Sequence, residues 1–172
     1  MRQKVLIAVL VLFPLLSLGG FFYVLHVKHQ HPSDIRNEAK KPLHYEDNQV
    51  QCPQCNMFLV GQKYTAQVID TKGRTEFFDD IGCVILWLRD HKIEPKSVTI
   101  WAFSLDTRHY VDALKAHYTL TEETPMNYGF GVYEQPQKGS IGFDEMRLKM
   151  LRGENMSDPK VRQKLLSQGK EP

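Results

Sequence analysis

The run Thr75-Glu76-Phe77-Phe78-Asp79-Asp80-Ile81-Gly82-Cys83-Val84-Ile85-Leu86-Trp87-Leu88 passes from a short aromatic segment through two carboxylates into an unbroken apolar block. A carboxylate ahead of such a block is the usual helix N-cap, because its oxygen accepts from the first free backbone amides and complements the positive end of the dipole. A buried helix is therefore expected to begin after Asp79-Asp80 and to fray near His91-Lys92, with both aspartates as caps rather than catalysts. Upstream, Tyr64, Ala66 and Val68 alternate with Thr65 and Gln67, Thr71-Lys72-Gly73-Arg74 supplies turn residues, and Thr75 to Phe78 resumes the extended pattern. That pattern predicts a β-hairpin feeding the helix.

Downstream, Pro95 closes the connection, and Ser97 to Leu105 is apolar or β-branched on both faces, which suits a central strand. The pattern then partly recurs: Tyr110-Val111 and Ala116 to Leu120 as short strands, Glu122 to Pro125 as a loop, Tyr128 to Tyr133 as a further strand. In that last strand Tyr128, Phe130 and Val132 share one face while Gly129 and Gly131 occupy the other, so a neighbouring group is expected to approach closely. Phe143, Met146, Met150 and Leu151 have the spacing of an amphipathic helix ended by Gly153. Asp158-Pro159 supplies a cap and first-turn proline for a second short helix, marked by Val161, Leu165 and Leu166 and stopping at Gly169.

The whole chain has 172 residues, 42% hydrophobic, which suits one small domain with appendages. Of the net charge of +2, Arg2 and Lys4 account for all, so no basic footprint for nucleic acid remains downstream. Val5 to Val27 contains no Asp, Glu, Lys or Arg, and as a helix it spans about 34 Å, enough to cross a bilayer. With Arg2 and Lys4 ahead of it, residues 1–4 are expected in the cytoplasm and the rest of the chain outside, in the periplasm or an equivalent extracytoplasmic space. The small residues Ser17, Gly19 and Gly20 are followed by more apolar sequence, so 5–27 reads as an uncleaved single-pass anchor in the cytoplasmic (inner) membrane rather than a signal peptide. Residues 28–51, with His29, His31, His44 and alternating charge but no apolar period, read as a solvated tether; 52–153 is the folded domain and 154–172 a helical tail.

The sharpest local feature is Cys52-Pro53-Gln54-Cys55-Asn56-Met57, two thiols with a thioether two residues beyond. Thiolate and thioether select soft ions and favour Cu(I), for which two or three ligands suffice, whereas structural zinc normally wants four Cys or His. Zinc here needs Cys83 and a histidine from outside the motif. Outside the cytoplasm the same pair is equally read as a disulfide, structural or catalytic. Against thiol–disulfide catalysis, the motif precedes a strand instead of opening a helix. Cys83 falls in the apolar block and reads as a core thiol, although a first-turn position gives it amide donors. Met126, in the polar loop Pro125-Met126-Asn127-Tyr128-Gly129, lies off any apolar stripe and is a candidate third soft ligand. No phosphate loop, nucleophile elbow or His-Glu-x-x-His is present, so nothing argues for an enzyme of hydrolysis or group transfer.

Cys52-x-x-Cys55-x-Met57, Phe78-Asp79-Asp80-Ile81-Gly82-Cys83, Asp112-Ala113 with Tyr118, and Pro125-Met126-Asn127-Tyr128-Gly129 fall in that order between about Gln51 and Tyr133. In this the chain resembles the NosL family, membrane-attached copper chaperones of nitrous oxide reductase assembly. The resemblance implies an α+β fold of two loosely repeated ββα-type units, here preceded by one N-terminal transmembrane helix. It also implies Cu(I) held by sulfur and delivery to an apo-cuproenzyme, nitrous oxide reductase above all. Carried over residue by residue, it nominates Cys55, Met57 and Met126 as ligands, with Cys52 as an auxiliary and Cys83 as a further candidate. Three features depart from the family pattern: no lipid-bearing cysteine follows the N-terminal apolar segment, Asn127 stands where glycine is typical, and the stretch between Tyr133 and Phe143-Asp144-Glu145 is short. The rival functions are an extracytoplasmic thiol–disulfide oxidoreductase using Cys52 and Cys55, and a non-catalytic assembly scaffold.

Overall fold

A computed structural model describes residues 12–23 and 31–168. The chain divides into two units, residues 1–31 and residues 32–172. In the first, residues 12–23 are helical (α1), with Leu12, Phe13, Leu15, Leu16, Phe21 and Phe22 exposed. The remainder of the expected 5–27 anchor, and residues 1–4 before it, lie outside the described residues. Among the described residues no helix is long and apolar enough to cross a membrane.

The second unit is a mixed helix-and-sheet domain with antiparallel sheets. Strands β1 (Ala66–Ile69) and β2 (Thr75–Phe78) form the expected hairpin, with Ala66 opposite Phe78. Its turn is built by Asp70, whose carboxylate accepts the N–H groups of Lys72 (2.8 Å) and Arg74 (2.9 Å), and by Gly73 at φ +79°. The hairpin begins at Ala66, two residues later than the alternation suggests, because Tyr64 is held at φ +71°. Helix α2 (Ile81–Asp90) follows directly, and Asp80 is its cap: the side chain accepts from Gly82 N–H at 2.8 Å. The helix ends at His91, with Lys92 at φ +56°. Strand β3 (Thr99–Phe103) lies inside the four-stranded sheet β2-β1-β3-β4, where β4 is Tyr110–Asp112.

The second sheet pairs β5 (His117–Thr119) with β6 (Gly131–Tyr133), and α3 (Phe143–Leu151) packs beside β5. The element order β-β-α thus occurs twice, as β1-β2-α2 and β5-β6-α3. The intervening hairpin β3-β4 joins the first sheet, leaving four strands in one layer and two in the other. Strand β6 is shorter than the apolar pattern of Tyr128 to Tyr133 suggests, because Gly129 at φ +90° turns the backbone out of the extended region. The close approach expected at the glycines is present: a Cβ on Gly129 would lie 2.6 Å from the Leu120 carbonyl oxygen, and one on Gly131 2.3 Å from Glu122 Cγ. Helix α4 (Pro159–Gln168) is capped by Asp158, which accepts from Lys160 N–H at 2.8 Å; its expected stop at Gly169 lies outside the described residues.

The stretch from Pro32 to Gln51 is not the tether that its composition suggests. It covers the face of the four-stranded sheet opposite α2. In register, Phe77, Gln67 and Trp101 lie side by side on that face. Gln67 is fully buried; its side chain donates to Leu43 O and accepts from Leu43 N–H, both at 2.8 Å. Trp101 Nε1 donates to Lys40 O at 2.8 Å, Tyr45 stacks edge-on to Phe77 with ring centroids 5.5 Å apart, and Asn37 N–H donates to Gly73 O at 2.8 Å. The physical reason is that β1 is buried on both faces, so a single helix layer cannot cover the sheet.

Candidate metal centre

Three chain segments converge at the start of α2. The first is the loop from Cys52 to Met57, closed by Cys52 N–H donating to Met57 O (2.8 Å) and Asn56 N–H donating to Cys52 O (2.9 Å). Asn56, at φ +61°, takes the left-handed turn that brings the chain back, and Gln51 bridges to Phe58 across the base. This closure turns Cys52 fully inward and leaves Cys55 half-buried, while Met57 is 43% exposed. No helix starts at the motif.

The second segment is the strand-to-helix junction. Only one of the two aspartates caps the helix. Asp80 does so, which leaves Asp79 to point elsewhere: its carboxylate accepts from the Cys55 thiol at 3.2 and 3.3 Å, and the residue is only 4% exposed. One turn on, Cys83 is fully buried. The ligand atoms of Cys52, Cys55, Asp79 and Cys83 all lie within 4.8 Å of one another.

The third segment is the loop at 124–129. The second oxygen of Asp80 accepts from Met126 N–H at 3.4 Å, and Thr124 also hydrogen-bonds the Asp80 carboxylate. The Thr124 hydroxyl in turn accepts from Tyr128 N–H at 3.1 Å. Asn127 sits at φ +55°, a conformation that glycine takes freely and asparagine more readily than most other residues, so asparagine holds this turn. The Tyr128 ring lies against the backbone of Gly82, where a Cβ would come within 2.3 Å of it. Met126 itself is half-buried, packed against the edge of the core.

Electrostatics separate the three thiols, all of which are free. The Cys52 thiol is brought down to about 7, because the Cys83 S–H donates to it and outweighs the cost of burial. Acting as that donor, and buried itself, Cys83 is pushed far up. Burial lifts Cys55 to about 12, and its donation to Asp79 holds the proton there. Asp80 is raised to about 6 by burial, partly offset by the hydrogen bonds from Thr124 and Gly82. Without a cation the cluster therefore keeps two of its three thiols protonated near neutral pH. A bound cation would replace those protons, since thiolates and not thiols are the ligands.

Of the five residues nominated from sequence, the structure gathers Cys52, Cys55 and Cys83 into one cluster. Cys83 is thus both a core thiol and a member of the site. Met57 stands at the exposed rim of its loop, and Met126 belongs to a loop tied to the same helix cap. Asp79 is the residue that sequence reasoning assigned to capping alone; the usable signal was that two consecutive carboxylates precede a helix that needs only one cap. Among the described residues no histidine joins the cluster.

No protein-family model matches the chain, and no curated protein does. Among solved structures, the crystal structure of the copper chaperone NosL from Shewanella denitrificans is similar to this chain at a TM-score of 0.48, with 13% sequence identity over 63% of this chain and 87% of that one.

Proposed function

We propose that this protein is a copper chaperone, which binds one Cu(I) through cysteine and methionine sulfur and hands it to an apo-cuproenzyme. The observation that carries this reading is the cluster itself: three thiols within 4.8 Å of one another, two of them fully buried, beside a loop that holds a methionine. Sulfur donors at this density suit a soft monovalent ion. In this reading Cys52, Cys55 and Cys83 supply the thiols, and Met126 and Met57 supply labile thioethers through which acceptor ligands enter stepwise. The ordered sequence motifs favour nitrous oxide reductase as the acceptor. The uncharged stretch from Val5 to Val27 supports attachment to the cytoplasmic membrane, with the domain on the extracytoplasmic side.

The thiol–disulfide alternative draws on the lowered Cys52 thiol, but that sulfur is fully buried and closed to a substrate disulfide. The test is an anaerobic titration of the reduced full-length chain, in detergent, with Cu(I) against a competing chromophoric chelator. Retention of one equivalent, followed by its transfer to apo-nitrous oxide reductase, is the expected result. Loss of all copper to the chelator refutes the reading, and retention without transfer refutes the choice of acceptor.

A further inference from the structure

The two sheets meet where Leu105 N–H, just past β3, donates to Val132 O of β6 at 2.8 Å. Beside that seam lies a cavity of about 570 Å³, a volume usual for small-molecule sites, and it shares no lining residue with the cysteine cluster. Phe103, Leu105 and the Tyr133 ring, all half-buried, supply its apolar wall. Its charged groups come from three separate segments: Lys63 ahead of β1, Arg108 in the β3-β4 turn, and Glu122 between β5 and β6.

These charges face one cavity without neutralising each other. Neither Lys63 nor Arg108 forms an ion pair among the described residues. Lys63 Nζ stands 4.6 Å from the centroid of the Tyr64 ring and feels both Glu122 and Arg108 through space. Tyr64 at φ +71° and Arg108 at φ +55° are in the left-handed region that large side chains seldom adopt, so the turns presenting the two cations are held by the surrounding structure. Glu122 is fixed by its own contacts. Its Oε1 accepts from the Tyr133 hydroxyl at 2.8 Å and from the Thr119 hydroxyl at 3.5 Å. Gly131 makes room for it, since a Cβ there would lie 2.3 Å from Glu122 Cγ. Glu122 Oε2 accepts no hydrogen bond among the described residues, which leaves one oxygen of an oriented carboxylate for a donor in the cavity that it lines.

We propose that this cavity binds a free α-amino acid with a large apolar side chain. The side chain lies against Phe103, Leu105 and Tyr133, the ligand carboxylate meets Lys63 and Arg108, and the ammonium donates to Glu122. A zwitterion is the ligand class that answers both unpaired signs at once; a simple anion leaves Glu122 without a donor, and a simple cation leaves Lys63 and Arg108 without an acceptor. The site is independent of the copper reading, because none of its groups belongs to the cysteine cluster.

The test compares phenylalanine with 3-phenylpropionate, which lacks the ammonium, and 2-phenylethylamine, which lacks the carboxylate. Each is titrated into the full-length chain in detergent by ligand-observed saturation-transfer NMR, with empty micelles as the blank. Phenylalanine is expected to bind about tenfold or more tightly than either analogue, the scale of one lost hydrogen bond to a charged group. Glu122→Gln keeps an oxygen for the Tyr133 hydroxyl, so the fold is retained; it should lower phenylalanine affinity about tenfold and leave 3-phenylpropionate no weaker. Arg108→Asn removes the cation with a residue that suits positive φ, and should weaken phenylalanine and 3-phenylpropionate alike. No saturation transfer to phenylalanine overturns the proposal, as does binding of either analogue at equal strength. Phenylalanine binding that survives both substitutions unchanged lies elsewhere on the molecule and overturns it too.

Discussion

Replacing Gly82 by alanine tests whether the loop at 124–129 is part of the site or merely lies near it. Gly82 occupies the first turn of α2, and an added Cβ would lie 2.3 Å from Tyr128 Cδ2 and 2.9 Å from its Cγ. Carbon–carbon contact is comfortable at about 3.5–4.0 Å, so the ring must retreat by more than about 1 Å. The ring does not retreat alone. Tyr128 N–H is held by Thr124, its carbonyl accepts from Met156 N–H at 3.1 Å, and the Met126 N–H bond to Asp80 is already long at 3.4 Å. The loop therefore shifts with the ring, and Met126 moves away from the helix cap.

On an unencumbered helix, glycine to alanine gains up to about 1 kcal/mol. Here overpacking costs about 1–3 kcal/mol, leaving a net loss between about 0 and 2 kcal/mol, or a few degrees at about 2–4 °C per kcal/mol. The larger effect is expected on metal: Cu(I) affinity, measured by chelator competition, falls about tenfold, the scale of an outer-shell disruption. Adding Tyr128→Ala removes the obstructing ring, so the double variant should be no less stable than Tyr128→Ala alone. A Gly82→Ala protein that melts higher than wild type and binds Cu(I) equally well would behave as an ordinary helix glycine and would refute the reasoning.

Three further outcomes are expected. Gln67→Leu leaves the Leu43 N–H and C=O without their buried partner and should cost about 2–6 kcal/mol at about 1–3 kcal/mol per orphaned group; hydrogen exchange should quicken first across residues 37–45, and a loss spread evenly over the domain would show that this segment is not held by Gln67. Met126→Ala should weaken Cu(I) binding about tenfold with the melting temperature changed by only a few degrees, since the side chain is half-buried; unchanged affinity removes Met126 from the ligand set. The Asp106 carboxyl sits at about 2: burial pushes it up, but hydrogen bonds from the Ser104 hydroxyl and from the N–H groups of Glu134 (3.0 Å) and Gln135 (3.1 Å) outweigh this. Its folded value lies below the unfolded value of about 3.9, so the stability it contributes is complete above that pH and is lost as pH falls toward 2. Asp106→Asn should flatten that limb in melts taken from pH 5 to pH 2, and an unchanged slope would show that the bonds do not outlast exposure to solvent.

Sequence alone determined the parts of this protein whose causes are local. Asp80 before an apolar block, Gly73 in a turn of polar residues, Asp158-Pro159 ahead of α4 and the glycines at 129 and 131 each act through backbone conformation or the nearest amides, so neighbours in sequence suffice to recognise them. The local grouping of two thiols and a thioether at Cys52, Cys55 and Met57 was legible for the same reason, from spacing within six residues.

Only the tertiary structure decided what depends on contacts between distant segments. Residues 32–51 carry no periodic pattern because they cover the sheet through single bonds and irregular contacts, Leu43 on Gln67, Lys40 on Trp101 and Tyr45 on Phe77. The apolar residues on both faces of β3 hinted that something must cover the second face, but nothing local says which segment does. Likewise Cys83 has the sequence context of a core thiol and is as buried as one, and Asp79 reads as half of a capping pair. Their meeting with Cys52 and Cys55 arises because the hairpin returns the chain to the foot of α2 where the earlier loop has already been placed, a juxtaposition across about thirty residues that no spacing rule encodes.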